Sequence, residues 1–171
     1  FPLNFPLGAT ESYMGCVILV PKNSVGFKYS KSVVDNVYIS DIGFLAKEGR
    51  TVGQTIAVLF KSEFFGPVWP FIIERCHFKG FNKAICFNTE TNVYNVARVE
   101  IRGNGFGQND ECVYFANLPN PVLPFAQMNL AWGFTFENNA AHDNSRIIYG
   151  QFQTDLVEIR NNNSEGSIAY A

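Results

Sequence analysis

Apolar and polar residues alternate along this chain in five short segments that share one eight-residue pattern. The segments begin at Val37, Phe71, Val99, Asn129 and Val157. Successive starts lie 34, 28, 30 and 28 residues apart, a spacing typical of supersecondary units that stack on one another. Alternation with a period of two over so few residues predicts β-strands rather than helices.

A second short apolar segment follows each of these five and ends on an aromatic residue. These residues are Phe60, Phe87, Phe115, Tyr149 and Tyr170. We interpret each repeat as one coil of a parallel β-solenoid, with equivalent positions stacked about 4.8 Å apart. The first four eight-residue segments also end in phenylalanine, and we expect those rings to form one interior column: Phe44, Phe78, Phe106 and Phe136.

Within the pattern, positions one, three, six and eight are mostly apolar, whereas positions two and four are mostly polar. The change from odd to even inward positions requires a bend near position five. Small or turn-forming residues suit that bend, and they are Asp41, Gly103, Gly133 and Asn161. Asn104 and Asn162 share position six, where buried amides can bond between coils. Ile42, Cys76 and Phe134 occupy that position elsewhere, so we expect the row of asparagines to be interrupted.

The repeats predict an all-β chain of about five coils forming one domain over residues 1–171. Residues 1–30 supply strands that lead into the repeating coils of residues 31–171. The last coil has no polar cap, which indicates a fragment of a longer β-helix. Polar stretches at residues 47–54, 117–124 and 138–145 predict loops at the rim of a binding surface, with tolerated insertions as the alternative interpretation.

Composition changes this picture little. Hydrophobic residues make up 47% of the chain and there are 17 phenylalanines, enough for one sizeable core. The net charge of −2 and the scattered basic residues argue against nucleic-acid binding, and no apolar run is long enough for membrane insertion. The four cysteines fit no zinc spacing, so we expect reduced core thiols, with a disulfide scaffold as the alternative. We expect no metal and no cofactor.

The outward positions predict the chemistry. Position two holds Tyr38, Ile72, Glu100, Leu130 and Glu158. Position four holds Ser40, Glu74, Arg102, Trp132 and Arg160. Carboxylates, guanidinium groups and aromatic rings on one flat wall suit a carbohydrate, since rings stack on sugar faces and charged groups bond to hydroxyls.

Glu74 and Glu100 are the candidate general acid and base, because their Cα atoms should lie about 8 Å apart. Arg102, Arg160 and Glu158 are candidate ligands of hydroxyl or carboxylate groups, and Trp132 and Tyr38 are candidate stacking platforms. Simple ion pairs on a solvated wall are the alternative interpretation of the charged residues. The next candidates for catalysis are the acidic residues near the second strand of each coil: Glu63, Glu90, Asp110 and Asp155.

The segments GCVILVPKNSVGFKYS, VVDNVYISDIGF, IIERCHFKGFNKAICF and VARVEIRGNGF give the chain a family likeness. It resembles the right-handed parallel β-helix of pectin-lyase-like proteins, most closely bacteriophage tailspikes that degrade bacterial surface polysaccharide. The resemblance implies a homotrimer in the phage tail that acts outside the cell on capsular polysaccharide or lipopolysaccharide, as an endoglycosidase or a lyase. Outward apolar residues at Ile72 and Leu130 fit partial coverage by a neighbouring subunit. The alternative function is a non-catalytic receptor-recognition or adhesin β-helix that binds glycan.

Overall fold

A computed structural model describes residues 15–29, 36–50, 53–61, 70–88, 95–116, 130–150, 153–154 and 156–166. Within these ranges all the regular structure is β-strand and none is helix. This confirms the all-β prediction for the described part of the chain.

The strands form three sheets. Sheet A contains, in spatial order, β1 (Cys16–Val20), β4 (Ile42–Ala46), β7 (His77–Lys79), β10 (Gly105–Gly107), β13 (Ala140–His142) and β17 (Asn163–Glu165). Sheet B contains β14 (Arg146–Gly150), β11 (Glu111–Phe115), β8 (Lys83–Asn88), β5 (Ile56–Lys61) and β2 (Val25–Tyr29). Sheet C contains β15 (Gln153–Thr154), β12 (Leu130–Glu137), β9 (Asn95–Arg102), β6 (Phe71–Glu74) and β3 (Val37–Ser40), and β16 (Val157–Arg160) also pairs with β12.

The chain visits the three sheets in a fixed cyclic order. It passes from sheet A to sheet B to sheet C and then returns to sheet A, so each cycle adds one strand to each sheet. Strands from successive cycles pair in parallel, for example Val37 with Phe71 and Phe71 with Val99. In the last cycle β15 and β16 pair with the two halves of the long strand β12.

Aromatic side chains fill the interior between the three sheets. Phe44, Phe78 and Phe106 stack in one column on sheet A, with ring centroids 5.2 and 5.1 Å apart. The prediction that Phe136 continues this column is wrong. Phe136 lies on sheet C, where its partner is Ile101, and Ala141 is the residue that pairs with Phe106. The ring centroids of Phe136 and Phe106 are still 6.0 Å apart, because sheets A and C enclose the same core.

A second aromatic column lies on sheet B. Tyr29, Phe60, Phe87 and Phe115 are aligned there by strand pairing, as the sequence predicts for the three phenylalanines. The next aligned residue is Gly150, so the prediction that Tyr149 occupies the equivalent position in the next coil is wrong. A Cβ at Gly150 would lie only 1.9 Å from the carbonyl oxygen of Phe115, which excludes a larger residue. Tyr170 lies outside the described residues.

The fourth sequence segment is displaced from its predicted register. Phe134, not Asn129, pairs with Val99. The first residues of strand β12, from Leu130 to Gly133, precede the position equivalent to Val99 and pair with the upstream half of β9. The predicted bend at Gly133 is therefore wrong, and the left-handed residue of this cycle is Asn138, with φ of 54°.

The predicted bend is confirmed at the corner between sheets C and A in the other cycles. Four residues there have left-handed backbone conformations, with φ between 51° and 63°: Asp41, Arg75, Gly103 and Asn161. Three of them are Asp, Asn or Gly, the residue types that tolerate this conformation best. Arg75 is the exception.

Buried asparagines connect the cycles at this corner. Asn104, Asn139 and Asn162 form a ladder in which each side-chain oxygen accepts the backbone N–H of the asparagine or cysteine in the preceding cycle. Each side-chain NH₂ also donates to a backbone carbonyl of the preceding cycle. Ile42 and Cys76 take the place of asparagine in the two earlier cycles, as predicted. Phe134 does not, because the register shift places Asn139 there, and the ladder is continuous from Asn104 to Asn162.

A second ladder lies at the corner between sheets A and B. The side-chain oxygen of Asn109 accepts the N–H of Phe81, and that of Asn144 accepts the N–H of Asn109. The prediction of a surface loop over residues 138–145 is therefore wrong. That segment contains β13 and the two buried asparagines Asn139 and Asn144.

Cys76, Cys86 and Cys112 are buried and reduced, as expected, whereas Cys16 is exposed, so the expectation of a core thiol is wrong for Cys16. Burial raises the pKa of the Cys76 thiol to about 11, as expected of a core thiol behaving as a small hydrophobe. Among the described residues no helix is long and apolar enough to cross a membrane. The same residues contain no group of three or more His, Cys, Asp or Glu placed to hold a metal ion.

Candidate functional site

The sequence-predicted residues lie on the outer surface of sheet C, in two neighbouring rows. One row aligns Ser40, Glu74, Arg102, Glu137 and Arg160. The other aligns Tyr38, Ile72, Glu100, Thr135 and Glu158. We call these two rows the sheet C face. The structure thus brings together all the predicted site residues except Trp132.

Glu74 is a nearly buried carboxylate surrounded by donors. The Tyr38 hydroxyl and the Arg75 guanidinium both donate to its Oε1. The Arg102 Nε donates to its Oε2 over 2.7 Å. The hydrogen bond from Tyr38, followed by those from the two arginines, lowers the pKa of Glu74 despite its burial. A carboxyl group in this environment is ionised at neutral pH.

Glu100 shares the same arginine. Arg102 donates from Nη1 to the Glu100 Oε2 over 3.0 Å, and the Arg98 Nε lies 2.6 Å from the other carboxylate oxygen. Arg102 therefore bridges Glu74 and Glu100, the two carboxylates that the sequence predicts as general acid and base. In this arrangement the Arg102 guanidinium lies between Glu74 and Glu100.

The far end of the sheet C face carries a similar network. The Arg160 Nε donates to Glu137 over 2.7 Å, and its Nη2 lies 3.8 Å from Glu158. Glu137 occupies the place that the sequence analysis gave to Trp132. Of the ion pairs expected in the alternative interpretation, Arg102 with Glu100 and Arg160 with Glu158 are both present, the second at 3.8 Å, while the pair of Arg160 with Glu137 was not predicted.

The predicted position of Trp132 is wrong because of the register shift. Trp132 lies between Ala131 and Gly133, which pair with Val96 and Arg98 upstream of Glu100. The Trp132 side chain is outside the described part of the chain, as is that of Leu130. Tyr38 is 55% exposed, so its ring is open to solvent at one end of the face.

A second group of functional side chains lies on the outer surface of sheet B. Lys83, Glu111 and Arg146 are aligned on three successive strands, and Tyr114 and Tyr149 are aligned in the next row. We call these five residues the sheet B face. The two tyrosine rings stack with centroids 5.9 Å apart. The Lys83 Nζ lies 4.6 Å from the centre of the Tyr114 ring, and the Arg146 guanidinium carbon lies 3.9 Å from that of Tyr149.

Glu111 is the carboxyl group of this face and is only 8% exposed. Burial raises its pKa, although the nearby charges of Lys83 and Arg146 act in the opposite direction. Arg146 approaches its Oε1 at 3.6 Å, a long ion pair. Glu74 and Glu111 thus differ in kind, since hydrogen bonds from three donors lower the pKa of Glu74 whereas burial raises the pKa of Glu111.

The sequence analysis placed Asp110 on this side of the molecule but missed Glu111. The available signal was the charge alternation Lys83, Glu111, Arg146 at one repeated position. Asp110 lies at the corner beside it, where its carboxylate accepts a hydrogen bond from Asn82 Nδ2 over 2.9 Å. The other candidates named with Asp110 are Glu63, Glu90 and Asp155, and they lie outside the described residues.

Comparison with known proteins finds no family model, no curated protein and no solved structure that matches this chain. The geometry of the two faces is therefore the basis for any functional conclusion.

Proposed function

We propose that the three sheets are the walls of a right-handed parallel β-helix that binds and cleaves a bacterial surface polysaccharide. The cyclic visit to three parallel sheets supports the β-helix. Connections between parallel strands of one sheet are right-handed in about 98% of cases, which supports the handedness. The phage tailspike, its homotrimer and its place in the virion rest on the resemblance of the repeat pattern.

The observation that carries the enzymatic part of this proposal is the environment of Glu111. A buried carboxyl group with a raised pKa lies beside two stacked tyrosine rings and between two cations. Glycoside cleavage requires a carboxylic acid that can protonate the leaving oxygen, and burial is the usual way to keep such a group protonated. The two tyrosine rings stack on each other and are covered by the two cations, so they meet a sugar through their hydroxyl groups and ring edges.

In the proposed reaction, the Glu111 carboxyl donates its proton to the glycosidic oxygen as the bond from that oxygen to the anomeric carbon breaks. A water molecule forms the new bond to the anomeric carbon and gives up a proton to a second carboxylate. Protons and atoms then balance, with one water consumed for each bond cut. Tyr114 and Tyr149 hold the chain of sugars against the face.

The sheet C face favours the second candidate function, binding of glycan without cleavage. Because Arg102 joins Glu74 and Glu100, neither carboxylate is free to act on a substrate in this arrangement. Glu74, Glu100, Arg102, Arg160, Glu158 and Tyr38 remain hypothetical ligands of sugar hydroxyls. A binding module would use both faces and leave the polysaccharide intact.

The experiment is a cleavage assay with the purified protein on a panel of capsular polysaccharides and lipopolysaccharides. New reducing ends measure hydrolysis, and ultraviolet absorbance of an unsaturated product detects a lyase. We expect Glu111→Gln to lower turnover by about 10²- to 10⁴-fold, the usual contribution of a general acid. Glu165→Gln is the matched control, since Glu165 is exposed on sheet A.

Glu74→Gln and Glu100→Gln discriminate between the two faces. If they abolish turnover while Glu111→Gln keeps it, the catalytic face is sheet C. If no polysaccharide is cleaved but at least one is retained by the immobilised protein, the binding function replaces the enzymatic one.

A further inference from the structure

We infer that Arg50 is a positioning residue that holds Asp110 as the second carboxylate of the Glu111 site. This inference rests on the proposed function. Arg50 belongs to a short turn that follows β4, whereas Asp110 directly precedes β11, two cycles further along the chain. Nothing in the local sequence around either residue connects them.

The contacts of Asp110 define the geometry. The Arg50 Nε lies 3.3 Å from Asp110 Oδ1, while the Asn82 Nδ2 donates to Oδ2 over 2.9 Å. One carboxylate oxygen thus accepts a hydrogen bond from Asn82 and the other faces the charge of Arg50, so contacts from two different cycles orient the carboxylate. The Asp110 side chain is still 40% exposed, so the group is both oriented and accessible to a substrate.

Arg50 is itself held over this corner of the molecule. Its Nη1 donates to the Ser145 Oγ over 3.3 Å and to the Asp143 carbonyl oxygen over 3.4 Å. Arg50 therefore contacts residues from two later cycles at once. A side chain with five donors in a rigid fork suits such a bridge, and lysine could replace only part of it.

The turn that carries Arg50 packs closely against the corner below. A Cβ at Gly80 would lie 3.1 Å from the Cα of Gly49, and Gly80 has a left-handed φ of 80°. On its other side the Glu48 carboxylate accepts the backbone N–H of Lys22 over 2.9 Å. These contacts fix where the turn lies, and hence where the Arg50 guanidinium reaches.

Asp110 is close enough to Glu111 for its charge to contribute to the raised pKa of that carboxyl. Two adjacent carboxyl groups in different environments are the arrangement that separates an acid from a base. In the proposed hydrolysis Glu111 gives a proton to the leaving oxygen and Asp110 takes one from the attacking water. In this proposal Arg50 takes no part in the proton transfers and acts through the orientation of Asp110.

The test compares kcat and KM for Arg50→Gln, Asp110→Asn and the double variant on a polysaccharide that the unaltered protein cleaves. Since Arg50 acts through Asp110, we expect Arg50→Gln to lower kcat by about 10-fold or more with little change in KM. We expect no additional loss of kcat when Arg50→Gln is combined with Asp110→Asn. Arg50→Lys should restore part of the activity. Lys47→Gln is the control, since it removes one positive charge from an exposed position of the same turn.

The outcomes separate this inference from the proposed function. If the unaltered protein cleaves glycan but Arg50→Gln has the same kcat, or multiplies the loss caused by Asp110→Asn, the positioning role is wrong. If Arg50→Gln and Arg50→Lys lower the thermal midpoint equally and also lower kcat equally, Arg50 has only a structural role. If Glu111→Gln is fully active, the proposed site itself fails, whatever Arg50 does.

Discussion

Arg102 on β9 donates from its Nε to the Oε2 of Glu74 on β6 across 2.7 Å, on the outer surface of sheet C. The bond joins two neighbouring cycles through side chains, in addition to the backbone ladder between the strands. Glu74 is only 7% exposed, and burial of a negative charge is unfavourable. The donors that surround the carboxylate compensate for this cost. Arg102 thus contributes to the stability of the folded sheet C face.

Glu74→Gln should lower the free energy of unfolding at neutral pH by about 1 to 3 kcal/mol, because it leaves charged donors without their acceptor. The pKa of Glu74 is lower in the folded protein than in the unfolded chain, so its stabilising effect is present above the unfolded value of about 4.3. The effect disappears as the pH falls through the folded value. Urea denaturation of the variant and the unaltered protein at a series of pH values measures this difference. A difference that stays constant from neutral pH to pH 3 would contradict the prediction.

Arg75 lies in a left-handed conformation, with φ of 51°, at the corner where other cycles have Asp, Gly or Asn. This conformation costs an ordinary residue about 1 to 2 kcal/mol. Arg75 is kept there by a two-pronged ion pair with Asp41, at 2.8 Å for each bond, and by its bond to Glu74.

Replacing Arg75 separates the backbone strain from the ion pairs. Arg75→Asn and Arg75→Ala both remove the guanidinium, but asparagine tolerates the left-handed conformation and alanine does not. We therefore expect Arg75→Asn to be more stable than Arg75→Ala by about 1 kcal/mol in urea denaturation. Equal stabilities would show that the strain at this corner is negligible.

The sequence predicts the repeat and its corners because one eight-residue pattern recurs with the same inward positions. It fails in the fourth cycle because two overlapping segments, NLAWGFTF and FTFENNAA, both fit that pattern. Strand pairing selects the second, which aligns Asn139 with Asn104 and Asn162. A buried amide that must bond above and below is a stricter criterion than the hydrophobic alternation that both segments satisfy.

The candidate site is less predictable for a related reason. The sheet C face follows from alternation alone, so its members are predicted apart from the residues of the shifted cycle. The environment of Glu111 depends on Lys83 and Arg146, which come from the two neighbouring cycles. A local pattern cannot show whether a carboxyl group is covered by other cycles. The sequence therefore identifies Asp110 as a candidate but not Glu111.

Asn139 is the central residue of the ladder between sheets C and A. Its side-chain oxygen accepts the N–H and the side-chain NH₂ of Asn104, and its own NH₂ donates to the Ile101 carbonyl oxygen. Asn139→Ala leaves these buried groups without partners, so we expect a loss of about 3 kcal/mol in the free energy of unfolding. Asn163→Ala, at an exposed position of β17, should change it by no more than about 0.5 kcal/mol. Equal effects of the two substitutions would rule out the ladder as a major source of stability.

Glu111 should show the opposite pH dependence to Glu74. Because burial raises its pKa in the folded protein, the folded state binds the proton more tightly than the unfolded chain does. Stability must then fall as the pH rises from the unfolded value of about 4.3 through the raised folded value.

Glu111→Gln carries no ionisable group, so it should match the unaltered protein near pH 4. At neutral pH it should be more stable by roughly 0.5 to 1 kcal/mol, the scale of a modest single-site change. Thermal denaturation of both proteins between pH 4 and pH 8 measures the two curves. If Glu111→Gln is instead less stable at neutral pH, the attraction of Lys83 and Arg146 outweighs burial, Glu111 is an anion there, and it cannot be the acid of the proposed reaction.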